Sequence, residues 1–252
     1  MGFSMVDIEK NTAIAICVYN NFSTIRLVAE KCLALTSCDV VIVDDGSTDG
    51  NVKELLKDLP RTRILVHKKN LGKGAALQTA LHFLSAHHPE KKWMLTLDAD
   101  GQHFPEDIPN FLSALKKTQE ENILFIGTRD FSSGKGEIPA KSILGKTLSD
   151  FCIRLETKQK ITDSQSGFRC YPVYPLRKIA CKSSRYAWET EILVRALWQG
   201  IKVIHIPVQV EYFTKETRVT HFKVWKDNLR IIALHLGFLW QLLLNGREKS
   251  GK

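Results

Sequence analysis

In Leu97-Asp98-Ala99-Asp100-Gly101-Gln102-His103 an apolar run ends in two carboxylates two residues apart, followed at once by an amide and an imidazole. Carboxylate and amide oxygens are the ligands of hard divalent cations such as Mg²⁺ or Mn²⁺, and a cation relieves the repulsion between the two negative charges. Part of the stretch has a purely structural explanation. Pro105, Glu106 and Asp107 suit the first turn of a helix, where proline loses no hydrogen bond and acidic side chains meet the positive end of the helix dipole. The segment therefore divides, with 98–102 available to a metal and 103–107 starting a helix. D-x-D alone is a weak signal, and its position at the end of a strand-like run strengthens it.

A second acidic pair, Asp44 and Asp45, lies in VIVDDGSTDG. Gly46 and Ser47 suit a tight turn and Asp49 a helix cap, but neither role accounts for Asp44 or Asp45. A carboxylate at a strand end accepts hydrogen bonds from a nucleobase N–H or a ribose hydroxyl. A third cluster, NLGKGAAL (70–77), looks like a phosphate loop, yet Leu77 stands where G-x-G-x-x-G has its last glycine, and G-x-x-x-x-G-K-[ST] does not occur. Dinucleotide dehydrogenases and P-loop ATPases are thereby set aside. What remains is a helix start whose glycines serve either close packing or a ligand. Arg129 and Arg169 are permanently charged planar forks suited to phosphate, and Arg169 equally suits a buried ion pair with Asp163 or a nearby glutamate.

The elements that must carry these residues follow from apolar periodicity. Residues 13–19, 39–45, 63–67, 92–98 and 122–128 are short apolar runs bounded by polar or turn residues, as strands are, and the segments between them repeat apolar residues at helical spacing. Strand-helix alternation at this rhythm predicts an α/β fold, a mostly parallel sheet flanked by helices on both faces. Ligands bind such sheets at the carboxyl ends of the strands, where Asp44, Asp45, Asp98, Asp100, Thr128 and Arg129 would gather. The second half is less regular: a helix in ILGKTLSDFCIRLE, a short strand in SGFRCYPV, a helix in RYAWETEILVRALWQG closed by Gly200, two short strands around Pro207, and a last helix over about 223–244. No Gly-, Ser- or Pro-rich linker separates the halves, so they are expected to be lobes of one domain, about 1–130 and 131–222, followed by a C-terminal amphipathic helix and basic tail over 223–252.

The 252 residues are 44% apolar, enough for a well-buried core, and carry a net charge of +9. That balance suits an anionic partner: phosphate groups, nucleic acid or an acidic membrane surface. A nucleic-acid binder is disfavoured, because there is no aromatic-rich basic stripe and no recognition motif. The six cysteines form no C-x-x-C pair and several sit in apolar segments, as expected of reduced core residues rather than a disulfide or zinc framework. The N-terminal residues have no secretion-signal pattern. The expected location is the cytoplasm, on the cytoplasmic face of a membrane.

Taken in order, CVYNN (17–21), VDDGSTDG (43–50), NLGKGAAL (70–77), DADGQH (98–103), GTR (127–129), DSQSGFRCY (163–171), WETEILVRA (188–196) and RVTHF (218–222) resemble family 2 glycosyltransferases of GT-A fold. The likeness is greatest to the branch containing dolichol-phosphate mannose synthase and the bacterial polyprenyl-phosphate glycosyltransferases. The resemblance implies a metal-dependent, inverting glycosyltransferase acting on a UDP- or GDP-sugar, with Asp98, Asp100 and Gln102 holding Mg²⁺ or Mn²⁺. It implies nucleotide-sugar contacts at Tyr19, Ile42, Asp44, Asp45, Lys73, Asp98, Ala99, Asp100 and Arg129, and also at Arg218 and Lys223. Catalytic roles fall to Asp100, Arg129, Asp163 and Glu191. Cys17 and Asn21 depart from the Pro and Glu of the family's first motif.

The acceptor decides whether a base is needed. A sugar hydroxyl requires a carboxylate to take its proton, with Asp163, Glu189 or Glu191 as candidates. A lipid phosphate is already anionic near neutral pH, its second pKa being about 6. Glu189 and Glu191 cannot share a helix face, so only one is expected in the site. The alternatives to a lipid-phosphate or membrane-proximal acceptor are a glycan hydroxyl and, without turnover, a nucleotide-sugar binding module. The apolar run 231–244 is shorter than the roughly 20 residues a bilayer crossing requires. It is expected to lie in the membrane interface, with Trp225 and Trp240 at headgroup depth, or against a partner subunit.

Overall fold

The computed structural model describes residues 4–118, 120–129, 140–210 and 224–249. Among the described residues seven strands form one sheet: β1 (Thr12–Val18), β2 (Asp39–Asp44), β3 (Thr62–Val66), β4 (Trp93–Asp98), β5 (Ile123–Arg129), β6 (Arg169–Pro172) and β7 (Lys202–Val208). Their order across the sheet is β3-β2-β1-β4-β6-β5-β7. All pairings are parallel except those of β6, which runs antiparallel to both β4 and β5. The helices are α1 (Met5–Lys10), α2 (Phe22–Leu35), α3 (Val52–Leu55), α4 (Lys73–His87), α5 (Ile108–Lys117), α6 (Ala140–Thr157), α7 (Val173–Arg177), α8 (Ala187–Trp198) and α9 (Val224–Lys249).

Because successive strand residues point to opposite faces, the apolar strands supply two cores. Ile14, Ile16, Val40, Ile42, Leu95 and Leu97 face α2 and α5. Ala13, Ala15, Val41, Val43 and Met94 face α4 and α8. Strands buried on both faces read as continuous apolar runs, which is why their positions are visible in the sequence. The same alternation sends the side chain of Asp98, four residues after Met94, to the α4 and α8 face.

Pro207 does not divide two strands, as the sequence suggests. It lies within the single strand β7, opposite Thr128 of β5. Proline removes one ladder donor, and β7 tolerates it because it is the outermost strand. The last helix begins where expected and runs five residues further. No helix among the described residues is long and apolar enough to cross a membrane. All six cysteines are free, and Cys32, Cys38 and Cys170 are buried, as core residues should be.

Candidate active site

Parallel pairing in register brings the acidic residues to one rim. Val18 pairs with Asp44 across β1 and β2, and Cys17 with Asp98 across β1 and β4. Arg129 closes β5 at the same edge. Antiparallel β6 starts from this rim, so the segment before it, 163–168, is delivered beside Asp98. An alanine at Gly167 would place its Cβ 2.5 Å from Lys73 Nζ and 2.8 Å from Asp98 Oδ2, which shows how closely that backbone covers the site.

Lys73, first residue of α4, projects into the cluster. Its Nζ is 2.7 Å from Asp98 Oδ1 and 3.1 Å from Glu189 Oε2, with 14% of the side chain exposed against 30% for Asp98. Burial disfavours the ammonium, but the Asp98 and Glu189 carboxylates outweigh it and hold its pKa well above the ordinary lysine value. Burial likewise opposes the Asp98 charge, and Lys73, His103 and Arg129 reverse the effect and lower its pKa. His103 is buried against the Phe168 ring, with Nδ1 3.4 Å from the Asp98 backbone nitrogen. Desolvation lowers its pKa to about 4, so it is neutral at physiological pH.

The start of α4 is locked in place. Leu71 N–H and Gly72 N–H donate to the two oxygens of Asp45, at 2.9 and 2.7 Å, and Asn70 Nδ2 and His67 Nδ1 reach the same carboxylate. Ala75 N–H donates to Ser184 O at 2.7 Å. Gly74 packs so tightly that an added Cβ would meet Trp188 Cβ and, at 2.6 Å, Arg185 O. The glycines of NLGKGAAL therefore serve packing, and Lys73 is the member that reaches the acidic cluster. Asp45, expected to contact the nucleotide, is 2% exposed and its carboxylate organises this loop instead. Asp44 sits at the rim, where Oδ1 accepts from Ser47 N–H at 2.9 Å.

Tyr19 lies half-buried just beyond β1, in a loop pinned to the 46–49 turn by Asn20 N–H to Ser47 Oγ and Thr48 N–H to Asn20 Oδ1. Asp49 caps the start of α2 through Phe22 N–H rather than the helix that follows it. Thr24 Oγ1, in the first turn of α2, donates to Ala99 O at 2.6 Å and steadies the D-x-D turn. Ala99 turns its own side chain into the core. Ile42, expected at the nucleotide, is fully buried in the α2-facing core two residues short of the strand end. Its side chain is packed into that core and away from the rim.

Three further expectations are revised. Asp163 is 0% exposed, and both oxygens are engaged by Arg129, so it presents no free carboxylate to take a proton. Its place beside Arg129 is set by Asp150, whose oxygens accept from Asp163 N–H and Ser164 N–H. Glu191 accepts from Lys182 N–H, Ser183 N–H and Arg195 Nε, a structural knot that turns it away from Lys73. Glu189, two residues earlier and some 200° around the helix, faces Lys73 and keeps Oε1 buried with no hydrogen-bond partner. Arg169 is neither a phosphate fork nor paired with Asp163. It is 0% exposed and donates to Ser166 O, Glu189 O, Ser164 O and Tyr171 Oη. Gly167 and Asp150 were not singled out in the sequence, where only S-G-F-R hinted at the first. Arg218 and Lys223 lie outside the described residues.

Asp98, Asp100 and Gln102 surround one turn, with Gln102 N–H donating to Asp100 Oδ1 at 3.0 Å. Among the described residues no three His, Cys, Asp or Glu side chains form a metal cage. Two carboxylates and an amide oxygen at an open rim are nevertheless what Mg²⁺ or Mn²⁺ requires when substrate phosphates and water complete the shell.

The sheet is thus mostly parallel and carries an acidic rim at the carboxyl ends of β2 and β4. A family model described as glycosyl transferase family 2 matches residues 13–180. The chain belongs to that family and is a glycosyltransferase. It is 31% identical over 179 residues to an uncharacterised protein of Methanocaldococcus jannaschii, covering 69% of this chain and 70% of the relative. It is 25% identical to the UDP-N-acetylglucosamine–dolichyl-phosphate N-acetylglucosaminyltransferase of Methanococcus voltae, over 81% of this chain and 87% of that protein. To a dolichyl-phosphate beta-glucosyltransferase of Trichomonas vaginalis it is 29% identical, over 81% and 64% respectively. Among solved structures, glucosyl-3-phosphoglycerate synthase of Mycobacterium tuberculosis in complex with UDP superposes with a TM-score of 0.69 at 16% identity, covering 94% of this chain and 85% of that one. The shared fold is GT-A.

Proposed function

We propose that this glycosyltransferase moves a sugar from a nucleoside-diphosphate donor to a lipid-linked phosphate at a membrane surface, in a metal-dependent inverting reaction. The observation that carries this is the convergence of Asp98, Asp100, Gln102, Lys73 and Arg129 on one rim. Two relatives are named for dolichyl phosphate as acceptor, and structures of the mycobacterial neighbour hold UDP with Mn²⁺ or Mg²⁺, which supports the same assignment here.

Asp98, Asp100 and Gln102 would hold the ion. When bound, it supplies Lewis-acid neutralisation of the charge growing on the departing diphosphate. Lys73 and Arg129 add fixed positive charge at the same place, and Asp163 fixes the Arg129 fork. Asp44 and Tyr19 would receive the nucleoside. An acceptor phosphate oxygen attacks the anomeric carbon as its bond to the diphosphate oxygen breaks, and one displacement inverts that centre. An anionic phosphate needs no base. The unpartnered Glu189 Oε1 favours one second assignment, a hydroxyl acceptor whose proton Glu189 takes.

The membrane side is supported by α9, which is apolar on two faces. Ile231, His235 and Phe238 face the domain, and His235 Nδ1 bonds Glu156 of α6 at 2.7 Å. Opposite them Trp225 (84% exposed), Leu229, Ile232, Leu236, Trp240 (62%) and Leu243 form an outward stripe. Neighbouring α6 exposes Leu148, Phe151 and Leu155. Lys226 and Arg230 are exposed on the same helix, as an interfacial helix on anionic lipid requires.

The reaction is tested with Asp100→Ala. Mn²⁺-dependent hydrolysis of the preferred nucleotide sugar should disappear with the melting temperature little changed, because Asp100 sits in a half-buried turn. Full activity would remove the metal assignment. Turnover with a polyprenyl phosphate but not with a glycan hydroxyl separates the two acceptors.

A further inference from the structure

We propose that Lys73 is a resident counter-cation of Asp98, clamped between Asp98 and Glu189, which keeps divalent-ion affinity low until a nucleoside diphosphate arrives. The inference rests on the metal assignment above and adds to it a reason for the third charged side chain.

Lys73 is held where it is by the backbone. The bonds from Leu71 and Gly72 to Asp45, the Ala75–Ser184 bond and the close packing of Gly74 fix the first turn of α4, so its ammonium is aimed rather than free to swing into solvent. The ammonium is shared. Two carboxylates flank it, at 2.7 and 3.1 Å, and the three groups together carry one net negative charge. Asp98 Oδ1 is thus already neutralised in part, and Asp98 is one of the two carboxylates, with Asp100, assigned to the ion among the described residues.

Charges this close interact strongly. The attraction or repulsion between unit charges grows as their separation falls and as water is excluded from between them. A second cation approaching Asp98 meets that opposition from Lys73. Glu189 offers the way out. Its Oε1 is buried with no partner, so it has unused capacity to take the ammonium entirely and release Asp98. The Gly167 backbone covers Nζ and Asp98 Oδ2 so closely that no side chain fits there, so the shift is confined to the short path between the two carboxylates. A diphosphate favours it further, because it brings oxygen ligands to the ion and a second anion to Lys73. Metal and nucleotide are then coupled, each tightening the other by the same factor.

The test titrates the full-length protein with Mn²⁺ alone, followed by electron paramagnetic resonance of free Mn²⁺, and then repeats the titration with UDP and with GDP. Lys73→Met is expected to bind Mn²⁺ alone about tenfold more tightly than the unaltered chain, within the range typical of site coupling. The additional gain from the nucleotide that binds should shrink correspondingly. Glu189→Gln should shift Mn²⁺ affinity the other way, since Lys73 then leans wholly on Asp98, and it carries the test should Lys73→Met fail to fold. Unchanged or weaker Mn²⁺ binding by a folded Lys73→Met overturns the proposal and makes Lys73 a support for Asp98. Asp100→Ala separates the two levels. If it abolishes Mn²⁺ binding while Lys73→Met does not tighten it, only the counter-cation role falls; if it leaves Mn²⁺ binding intact, the metal assignment falls and this inference with it.

Discussion

Asp163 grips Arg129 through three bonds: Oδ2 accepts from Arg129 Nε at 2.7 Å and from its backbone N–H at 3.0 Å, while Oδ1 accepts from Nη2 at 2.6 Å. The pair is bidentate and its acid is fully buried, so guanidinium position and strand end are set together. Asp163 itself has a left-handed backbone, φ +61°, an uncommon conformation for a residue other than glycine, though less so for aspartate. Its role is to position a charge.

Asp163→Asn should therefore weaken donor binding as well as turnover. Loss of one partner of a buried ion pair costs about 3 kcal/mol or more, measurable by chemical denaturation. Loss of a base would lower kcat while leaving donor affinity intact. An unchanged donor KM with a collapsed kcat would return Asp163 to the chemistry.

Glu191 makes a different prediction. Burial pushes its carboxyl pKa up, but the N–H groups of Ser183 and Lys182 together with Arg195 outweigh this and bring it below the ordinary 4.5. An acid whose pKa is depressed by folding contributes stability that is complete above its unfolded value and disappears as pH falls below it. Glu191→Gln should melt lower than the parent at pH 7, by roughly 2 kcal/mol, and the gap should narrow below pH 4.5. A constant gap across that range would show that Glu191 does not act through its charge.

Much of this architecture is legible in the chain. The five strands of the first half fall within about one residue of their apolar runs, because doubly buried strands must be continuous in apolar residues. The rim acids follow from the rule that parallel strands end together. The placement of β6 is not legible, since a four-residue strand carries no direction in its pattern. Nor can sequence choose between Glu189 and Glu191. Both are buried on α8, and only the packing of α4 against residues 184–188 decides which one meets Lys73. Arg169 misleads for a related reason: a fork suited to phosphate is equally suited to carbonyl oxygens, which are what surround it.

Gly74→Ala tests the α4 contact. The new methyl would meet Arg185 O at 2.6 Å as well as Trp188 Cβ, and backbone cannot yield cheaply. Although alanine favours helix over glycine by about 1 kcal/mol, the variant should be destabilised by about 1–3 kcal/mol. A more stable protein by thermal melting would show that this seam is loose.

Deleting α9 is a poor probe of membrane contact, because Ile231, His235 and Phe238 are buried against the domain. Outward substitutions are cleaner. Leu236→Glu with Trp240→Glu should lose co-sedimentation with vesicles containing anionic lipid while retaining donor hydrolysis and melting temperature. Unchanged sedimentation would show that the stripe faces something other than lipid.

The insertion of β6 between β4 and β5 also constrains how the molecule forms. β4 and β5 follow one another in the chain, yet each is bonded to β6, whose residues come some forty positions after β5 ends. A growing chain that has emerged only to Arg129 holds four paired strands and a fifth with no neighbour to bond. Synthesis must pass residue 172 before the sheet can close, so the surroundings of Asp98 are completed by the later half of the polypeptide. An amino-terminal fragment ending near residue 130 would leave β4 with one unpaired edge and β5 with no partner.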